Sequence, residues 1–345
     1  MLYRHVCIES LGYSLPEEIV TTAELERRLA PLYERLRLPE GRLELMSGIR
    51  ERRFWPVGML PSEKSIESAK KAIEGSEIDR RHIGALVHAS VCRDYLEPAT
   101  ACRVHNALGL PEECMIYDVS NACLGILNGM VQVANMIELG QIKAGLVVGT
   151  EGGRQLVETT VDWLNRTETL SRDDVKLAVA SLTIGSASAA VLLTHSDISR
   201  TGHRLVAAAT RAHTSHYQLC HGDHSGAETG MLMTTNSERL MQEGIVAGVA
   251  TFRSFLQKTG WAPDQISRTF CHQIGSAHRK GMLQALELSM DRDFTTFEWL
   301  GNTGSAALPV TMAIGLENGV VQTGDKVGLL GIGSGINFIM LAAEW

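Results

Sequence analysis

The chain has 345 residues, 44% apolar and 21% charged, with a mean hydropathy of +0.00 and a formal charge of −7. That is enough chain to bury a large core, while the interspersed acidic excess leaves no basic stripe for nucleic acid. No window holds the roughly 18 uninterrupted apolar residues of a membrane span, the start lacks a signal-peptide core, and seven scattered cysteines without a C-x-x-C pair suggest reduced thiols rather than disulfides or zinc; a cytoplasmic chain is expected.

In chain order, "TTAELERRL" (21–29) offers Thr21 and Glu24 as a capping box before an amphipathic helix. "SIESAKKAIEGSEID" (65–79) reads as a surface helix, and "IGALVHASV" (83–91) as a short strand buried on both faces. "CMIYDVS" (114–120) is a second such strand, "CLGILNGMVQVANMIELG" (123–140) an apolar helix, and "KAGLVVGTEGG" (143–153) a strand with a glycine turn. This alternation predicts an α/β chain with a mostly parallel sheet.

The second half repeats the first. "KAGLVVG" (143–149) is answered by "KVGLLGIG" (326–333), and "IDRRHIGALVHAS" (78–90) by "ISRTFCHQIGS" (266–276). Two α/β halves are expected, 1–196 and 197–345, divided after "SASAAVLLTHS".

Sites in open α/β folds form at the carboxyl ends of strands, and three chemically capable residues follow predicted strands: Cys123, His272 and Asn302. Cys123 stands where a strand gives way to a helix, and a helix dipole with nearby N–H groups favours a thiolate. Taken alone, such a cysteine is equally a small core residue; Cys7, Cys92, Cys102, Cys114, Cys220 and Cys271 are read that way.

The set Cys123, His272 and Asn302, within "DVSNACLGILNG", "CHQIGSAH" and "GNTGSAALP" and before the ending "LLGIGSGINFIMLAAEW", resembles the thiolase-like condensing enzymes, in the β-ketoacyl-acyl-carrier-protein synthase III branch. The likeness spans nearly the whole chain, with 149 residues from Cys123 to His272 and 30 from His272 to Asn302. It implies a thiolase fold of two duplicated βαβαβ-type halves in a five-layer αβαβα arrangement, and a homodimer. It also implies a ping-pong acyltransferase with no cofactor beyond coenzyme A or acyl-carrier-protein thioesters.

In that family pattern Cys123 takes an acyl group, the backbone N–H groups of Cys123 and Gly335 form an oxyanion hole, and His272 and Asn302 hold the enolate of a second thioester. That enolate arises by loss of carbon dioxide from a malonyl thioester or by abstraction of an α-proton. The loop "RDYLEPAT" (93–100) resembles that of the olefin-biosynthesis enzymes, which join two long-chain acyl-CoA molecules without decarboxylation. There the position of Glu97 belongs to a base that reaches the partner subunit's site, and an apolar acyl pocket raises the pKa of such a carboxylate. Arg50, Arg52 and Arg53 in "GIRERR" are candidates for coenzyme A phosphates.

Where carrier-dependent enzymes have a docking arginine after "HQAN", this chain has Ala277, with Arg279 or Lys280 as possible substitutes. "HTSHYQLCHGDH" gathers His213, His216, Cys220, His221, Asp223 and His224, but no zinc spacing, and no metal is expected. "NRT" (165–167) is a silent sequon, and Met130, Met136, Met231 and Met233 fit core packing better than an acyl channel. The competing class is a non-catalytic thiolase-fold subunit that scaffolds an active partner, a reading weakened by the presence of Cys123, His272 and Asn302 together.

Overall fold

A computed structural model describes residues 1–223 and 231–345; His224 lies outside them. The sheet strands are β1 (Val6–Ser14), β2 (Ile83–Ala89), β3 (Met115–Val119), β4 (Ala144–Glu151), β5 (Ala187–His195), β6 (Arg204–Ala212), β7 (Arg268–Cys271), β8 (Lys326–Gly333) and β9 (Asn337–Glu344). They lie in the order β7-β8-β9-β6-β1-β5-β4-β2-β3. The halves pair at Cys7 with Arg204 and at isolated bridges from Leu2 to Ala207 and from Ile184 to Asn302.

The duplication is visible in this order. In the first half the opening strand β1 pairs with the last, β5, which pairs with β4, then β2, then β3. In the second half β6 pairs with β9, then β8, then β7, and an isolated bridge from Thr269 to Asp293 stands where a fifth strand would lie. The repeated segments therefore occupy equivalent places: β4 matches β8 and β2 matches β7.

The sheet is mixed rather than mostly parallel. Only β2–β3, β2–β4 and β7–β8 run parallel, because the short turn between β8 and β9 can only return the chain antiparallel and the opening strand of each half pairs antiparallel with the last.

Six helices complete the layers: α1 (Pro61–Ser76), α2 (Thr100–Leu108), α3 (Gly125–Glu138), α4 (Ser237–Thr259), α5 (Ser276–Ala285) and α6 (Ala307–Glu317). α1 and α2 cover the outside of the first half-sheet, α4 and α5 that of the second, and α3 and α6 fill the space between. The result is five layers, αβαβα. Residues 307–315 of α6 are buried on every side, as expected of a helix with a sheet on either face.

α1 is the expected surface helix, with Glu63, Lys70, Lys71 and Glu74 exposed, but its buried face is polar too. Ser62, Ser65, Ser68, Ala69, Ala72 and Ser76 are buried, and their small size brings the helix so close to β1 that a Cβ on Gly12 would fall 2.2 Å from the Ser68 carbonyl. Two of these hydroxyls meet others from distant strands: Ser65 Oγ lies 2.7 Å from Thr150 Oγ1 and Ser68 Oγ donates to Ser188 Oγ at 2.9 Å, whereas Ser62 Oγ has no partner. At the predicted capping box, Thr21 Oγ1 accepts from the Glu24 N–H at 3.1 Å.

The two halves also touch closely where β8 meets the start of α3. A Cβ on Gly331 would come 2.8 Å from side-chain atoms of both Leu124 and Leu127. Gly331→Ala is therefore expected to destabilise the protein by about 1–3 kcal/mol through overpacking, read as a lowered urea midpoint; an unchanged midpoint would show that the halves are not in close contact there.

Candidate active site

Cys123 lies in the turn between β3 and α3, two residues before the helix begins. The preceding residue, Ala122, holds φ +45°, a left-handed conformation that an L-residue adopts at a cost of about 1–2 kcal/mol. With the Leu124 N–H donating to the Asn121 carbonyl at 2.9 Å, this turn re-aims the chain sharply and sets Cys123 at its apex.

His272 follows β7, and its N–H donates to the Leu330 carbonyl of β8 at 3.1 Å. Asp293 secures the strand before it, accepting from the Cys271 N–H, the Thr269 hydroxyl and Arg279 Nε at 3.2, 3.2 and 2.7 Å. Gln273 ties this segment to the one leading to Asn302: its Nε2 donates to the Cys271 carbonyl, while its Oε1 accepts from the Thr296 and Phe297 N–H groups.

Asn302 stands between Gly301 and Thr303, its backbone bonded to Thr183 and Gly185. Gly301 has φ +68°, and a Cβ there would fall 2.6 Å from the Thr183 carbonyl, so only glycine fits. Asn302 Oδ1 accepts from the Gly304 N–H at 3.0 Å. That donor fixes which end of the amide is oxygen and leaves Nδ2 as a hydrogen-bond donor.

Shared neighbours draw the three residues together. β8 receives the His272 N–H at Leu330, while a Cβ on its Gly333 would lie 3.5 Å from the Cys123 nitrogen. The following turn holds Gly335 at φ +134°, and Asn337 Nδ2 donates both to the Ser334 carbonyl and to Asn121 Oδ1. On the other side Ser305, three residues beyond Asn302, donates its hydroxyl to Glu151 at 2.5 Å, and the charge of Glu151 acts on Cys123.

Glu151 was passed over in the sequence because it ends a strand that is otherwise apolar. The available signal was that same contrast: one acid closing a fully buried strand and entering a Gly-Gly turn. Its carboxylate also accepts from the N–H groups of Val91 and Cys92 at 3.1 and 3.4 Å.

Burial pushes the site's ionisable groups toward their neutral forms. The Cys123 thiol is raised by burial first, then by the charges of Glu151 and Cys220, so the expected standing thiolate is not favoured. Burial likewise raises Glu151 against its hydrogen bonds. His272 is lowered to about 3 by burial and by His278, which burial lowers to about 4. The imidazole is thus neutral and keeps one N–H donor. His272 Nδ1 and His278 Nε2 both lack hydrogen-bond partners and flank one small cavity with Met282, Leu330 and Phe338.

Other candidates stand elsewhere. Glu97 is exposed, at the tip of the loop between β2 and α2, and is not desolvated within its own chain. Arg52 is buried, donating to the Val20 and Leu182 carbonyls and to Thr22 Oγ1, and burial lowers it to about 10; it is a structural cation and cannot meet a phosphate. Half-buried Arg53 donates to the Pro16 carbonyl at 3.0 Å, and Arg50 is exposed. Arg279 is turned inward onto Asp293, which removes it as a docking cation, while Lys280 is exposed.

Cys220 accepts from the Thr235 and Ser334 hydroxyls. Of the histidine-rich segment, His213 and His216 approach Glu243, with ligand atoms within 4.8 Å of one another. Met130 and Met136 pack in the central core. Among the described residues no helix is long and apolar enough to cross a membrane.

Residues 256–345 match the family model for the 3-oxoacyl-[acyl-carrier-protein] synthase III C terminal, and residues 61–218 that for the thiolase N-terminal domain. The chain is 42% identical to an acyl-CoA:acyl-CoA alkyltransferase of Shewanella oneidensis, with all of both chains covered. It is 26% identical to a β-ketoacyl-[acyl-carrier-protein] synthase III of Bacillus pumilus over 98% of each. The crystal structure of a cysteine-to-serine variant of Xanthomonas campestris OleA with bound lauric acid and lauroyl-CoA matches with a TM-score of 0.94 and 32% identity, covering 100% of both chains.

The neutral histidines have a measurable consequence. His88, lowered to about 4 chiefly by burial, joins His272 and His278 in staying unprotonated in the folded state, whereas the unfolded chain takes up protons below about pH 6.5. Their folded values are depressed, so stability falls as pH drops from about 6.5 toward 4. His278→Asn should flatten that slope by up to about 1.4 kcal/mol per pH unit, measured by urea unfolding across this window; an unchanged slope would mean that His278 is protonated in the fold.

Proposed function

The chain belongs to the thiolase-fold condensing enzymes, and on that premise we propose that it is an acyltransferase joining two fatty acyl-CoA molecules head to head by Claisen condensation to a β-keto acid. The observation that carries this reading is the full-length likeness to an acyl-CoA:acyl-CoA alkyltransferase. OleA of Xanthomonas campestris, the structural neighbour, has been seen with lauroyl-CoA bound.

In this reading the Cys123 sulfur attacks the first thioester and loses its proton as the carbon–sulfur bond forms, since no standing thiolate is favoured. The N–H groups of Cys123 and Gly335 hold the oxyanion, and coenzyme A leaves as its thiol. The second acyl-CoA places its carbonyl against the N–H of neutral His272 and Asn302 Nδ2. The partner subunit's Glu97 removes the α-proton, and the resulting enolate carbon attacks the acyl-enzyme and expels Cys123. Water then cleaves the remaining thioester to give the β-keto acid. No cofactor is required, because both acyl groups arrive activated.

The reading includes halves at 1–196 and 197–345, a cytoplasmic location and a homodimer. β3 is an edge strand with Met115 55% exposed, and the nearby Glu97 loop exposes Leu96 at 94%; an unpaired edge beside an apolar loop invites a second chain. Arg50 remains the candidate for a coenzyme A phosphate. Ala277 and the inward Arg279 favour coenzyme A over a carrier protein as the donor. The second reading, malonyl-dependent chain initiation, rests on the 26% likeness to a synthase III.

Incubation with a fatty acyl-CoA is expected to add one acyl mass to the wild type and none to Cys123→Ala; an undiminished adduct on the variant would sink the assignment. Fatty acyl-CoA alone should yield the β-keto product, and Glu97→Gln should lower its rate by about 100-fold or more while sparing acylation. Product that appears only with malonyl thioester would select the second reading. Sedimentation equilibrium should return twice the 37.6 kDa chain mass, and a monomer that is fully active would exclude the shared site.

A further inference from the structure

Glu151 is a buried carboxylate with no cation beside it among the described residues. A buried charge is expensive unless it is fully hydrogen-bonded. Its donors come from two separate loops: the Val91 and Cys92 N–H groups lie at the root of the loop that carries Glu97, and the Ser305 N–H and hydroxyl follow Asn302. The Trp55 indole donates to its backbone carbonyl at 3.0 Å. Gly304, at φ +57°, lies against it, and a Cβ there would come 3.0 Å from Glu151 Cγ. The site has therefore been shaped around this side chain from both sides.

Resting on the reading above, we propose that Glu151 is the positioning residue of the active site: its carboxylate holds the Glu97 loop and the Asn302 loop on either side of Cys123 and presents its negative charge to the sulfur. All four contacts are N–H or O–H donors, which an acceptor-only carboxylate satisfies and the NH2 end of an amide cannot. The groups facing Cys123 are Glu151 from β4 and Cys220 from the strand Cys220–Asp223, and Cys92 is the titratable group facing Glu151. A negative charge there opposes the thiolate. Conversion of the thiol to a neutral thioester escapes that opposition, so the same charge keeps the resting sulfur protonated without disfavouring the acyl-enzyme.

The test uses the full-length protein and variants Glu151→Gln, Glu151→Asp and Ser305→Ala. Iodoacetamide labelling of the Cys123 peptide, followed by mass spectrometry across pH 7–10, needs no acyl donor and so reads the proposal independently of the reaction. In Glu151→Gln the labelling midpoint should fall by about one pH unit or more, whereas Glu151→Asp, which keeps the charge, should stay near wild type.

With acyl-CoA, Glu151→Gln should lose about tenfold or more in kcat with KM nearly unchanged, and Glu151→Asp should recover part of it. A Glu151→Gln midpoint equal to wild type would overturn the charge role, and an unchanged kcat would overturn the loop role. Should Glu151→Gln not fold, Ser305→Ala decides: it removes the hydroxyl donor but keeps the Ser305 N–H and the charge, so lowered kcat without a lowered midpoint supports the proposal and wild-type kcat overturns it. Failure of acyl-adduct formation in the wild type would instead count against the condensing reaction itself.

Discussion

Everything at this site depends on how closely a strand of the second half approaches a helix of the first. Gly331 and Gly333 present bare backbone to Leu124 and Leu127, and only that lets the end of β8 lie beside Cys123. Side chains at those two positions would separate the layers by the thickness of a methyl group or more. Cys123 would then lose the turn containing Gly335, and His272, hung from Leu330 of the same strand, would move away with it. Duplication thus supplies two similar sheets, and the glycines of one copy bring the sheets' functional ends together.

Once assembled, the site is marked by its removal from water. Burial pushes the thiol of Cys123 and the imidazole of His272 toward neutrality, and it raises Glu151 against hydrogen bonds that favour its charged form. Fixed dipoles are strongest in such surroundings. In the proposed reaction a thioester oxyanion or enolate would meet oriented N–H groups that need no reorganisation, which suits a reaction whose charge exists only in passing. Asn302 illustrates the preparation, since its oxygen is already engaged by Gly304 and its amide N–H groups are left for the ligand.

Much of this was legible in the residues. Cys123 and His272 could be found because polar, reactive side chains following apolar strands break the pattern, and the β4 and β8 segments could be matched as repeats; Asn302 follows a short helix, Phe297–Leu300, rather than the expected strand, and only its family motif marks it. What stayed hidden obeyed a different constraint. The buried face of α1 is hidden because it is serine, and Ser65 and Ser68 meet the hydroxyls of Thr150 and Ser188 from distant strands. Arg52 looks like a phosphate ligand until Val20, Thr22 and Leu182 are seen to absorb its donors. Antiparallel pairing of the opening and closing strands depends on contacts about 180 residues apart, Cys7 with Thr194 among them, and no local period reports those.

The left-handed turn at Ala122 bears on how precisely the nucleophile is held. Glycine would adopt φ +45° without steric cost, so the alanine methyl makes the folded turn dearer. It also removes conformations from the ensemble in which the sulfur could wander. The chain accepts a small enthalpic strain in exchange for narrowness of motion, and it does so at the residue next to the sulfur that the proposed reaction acylates.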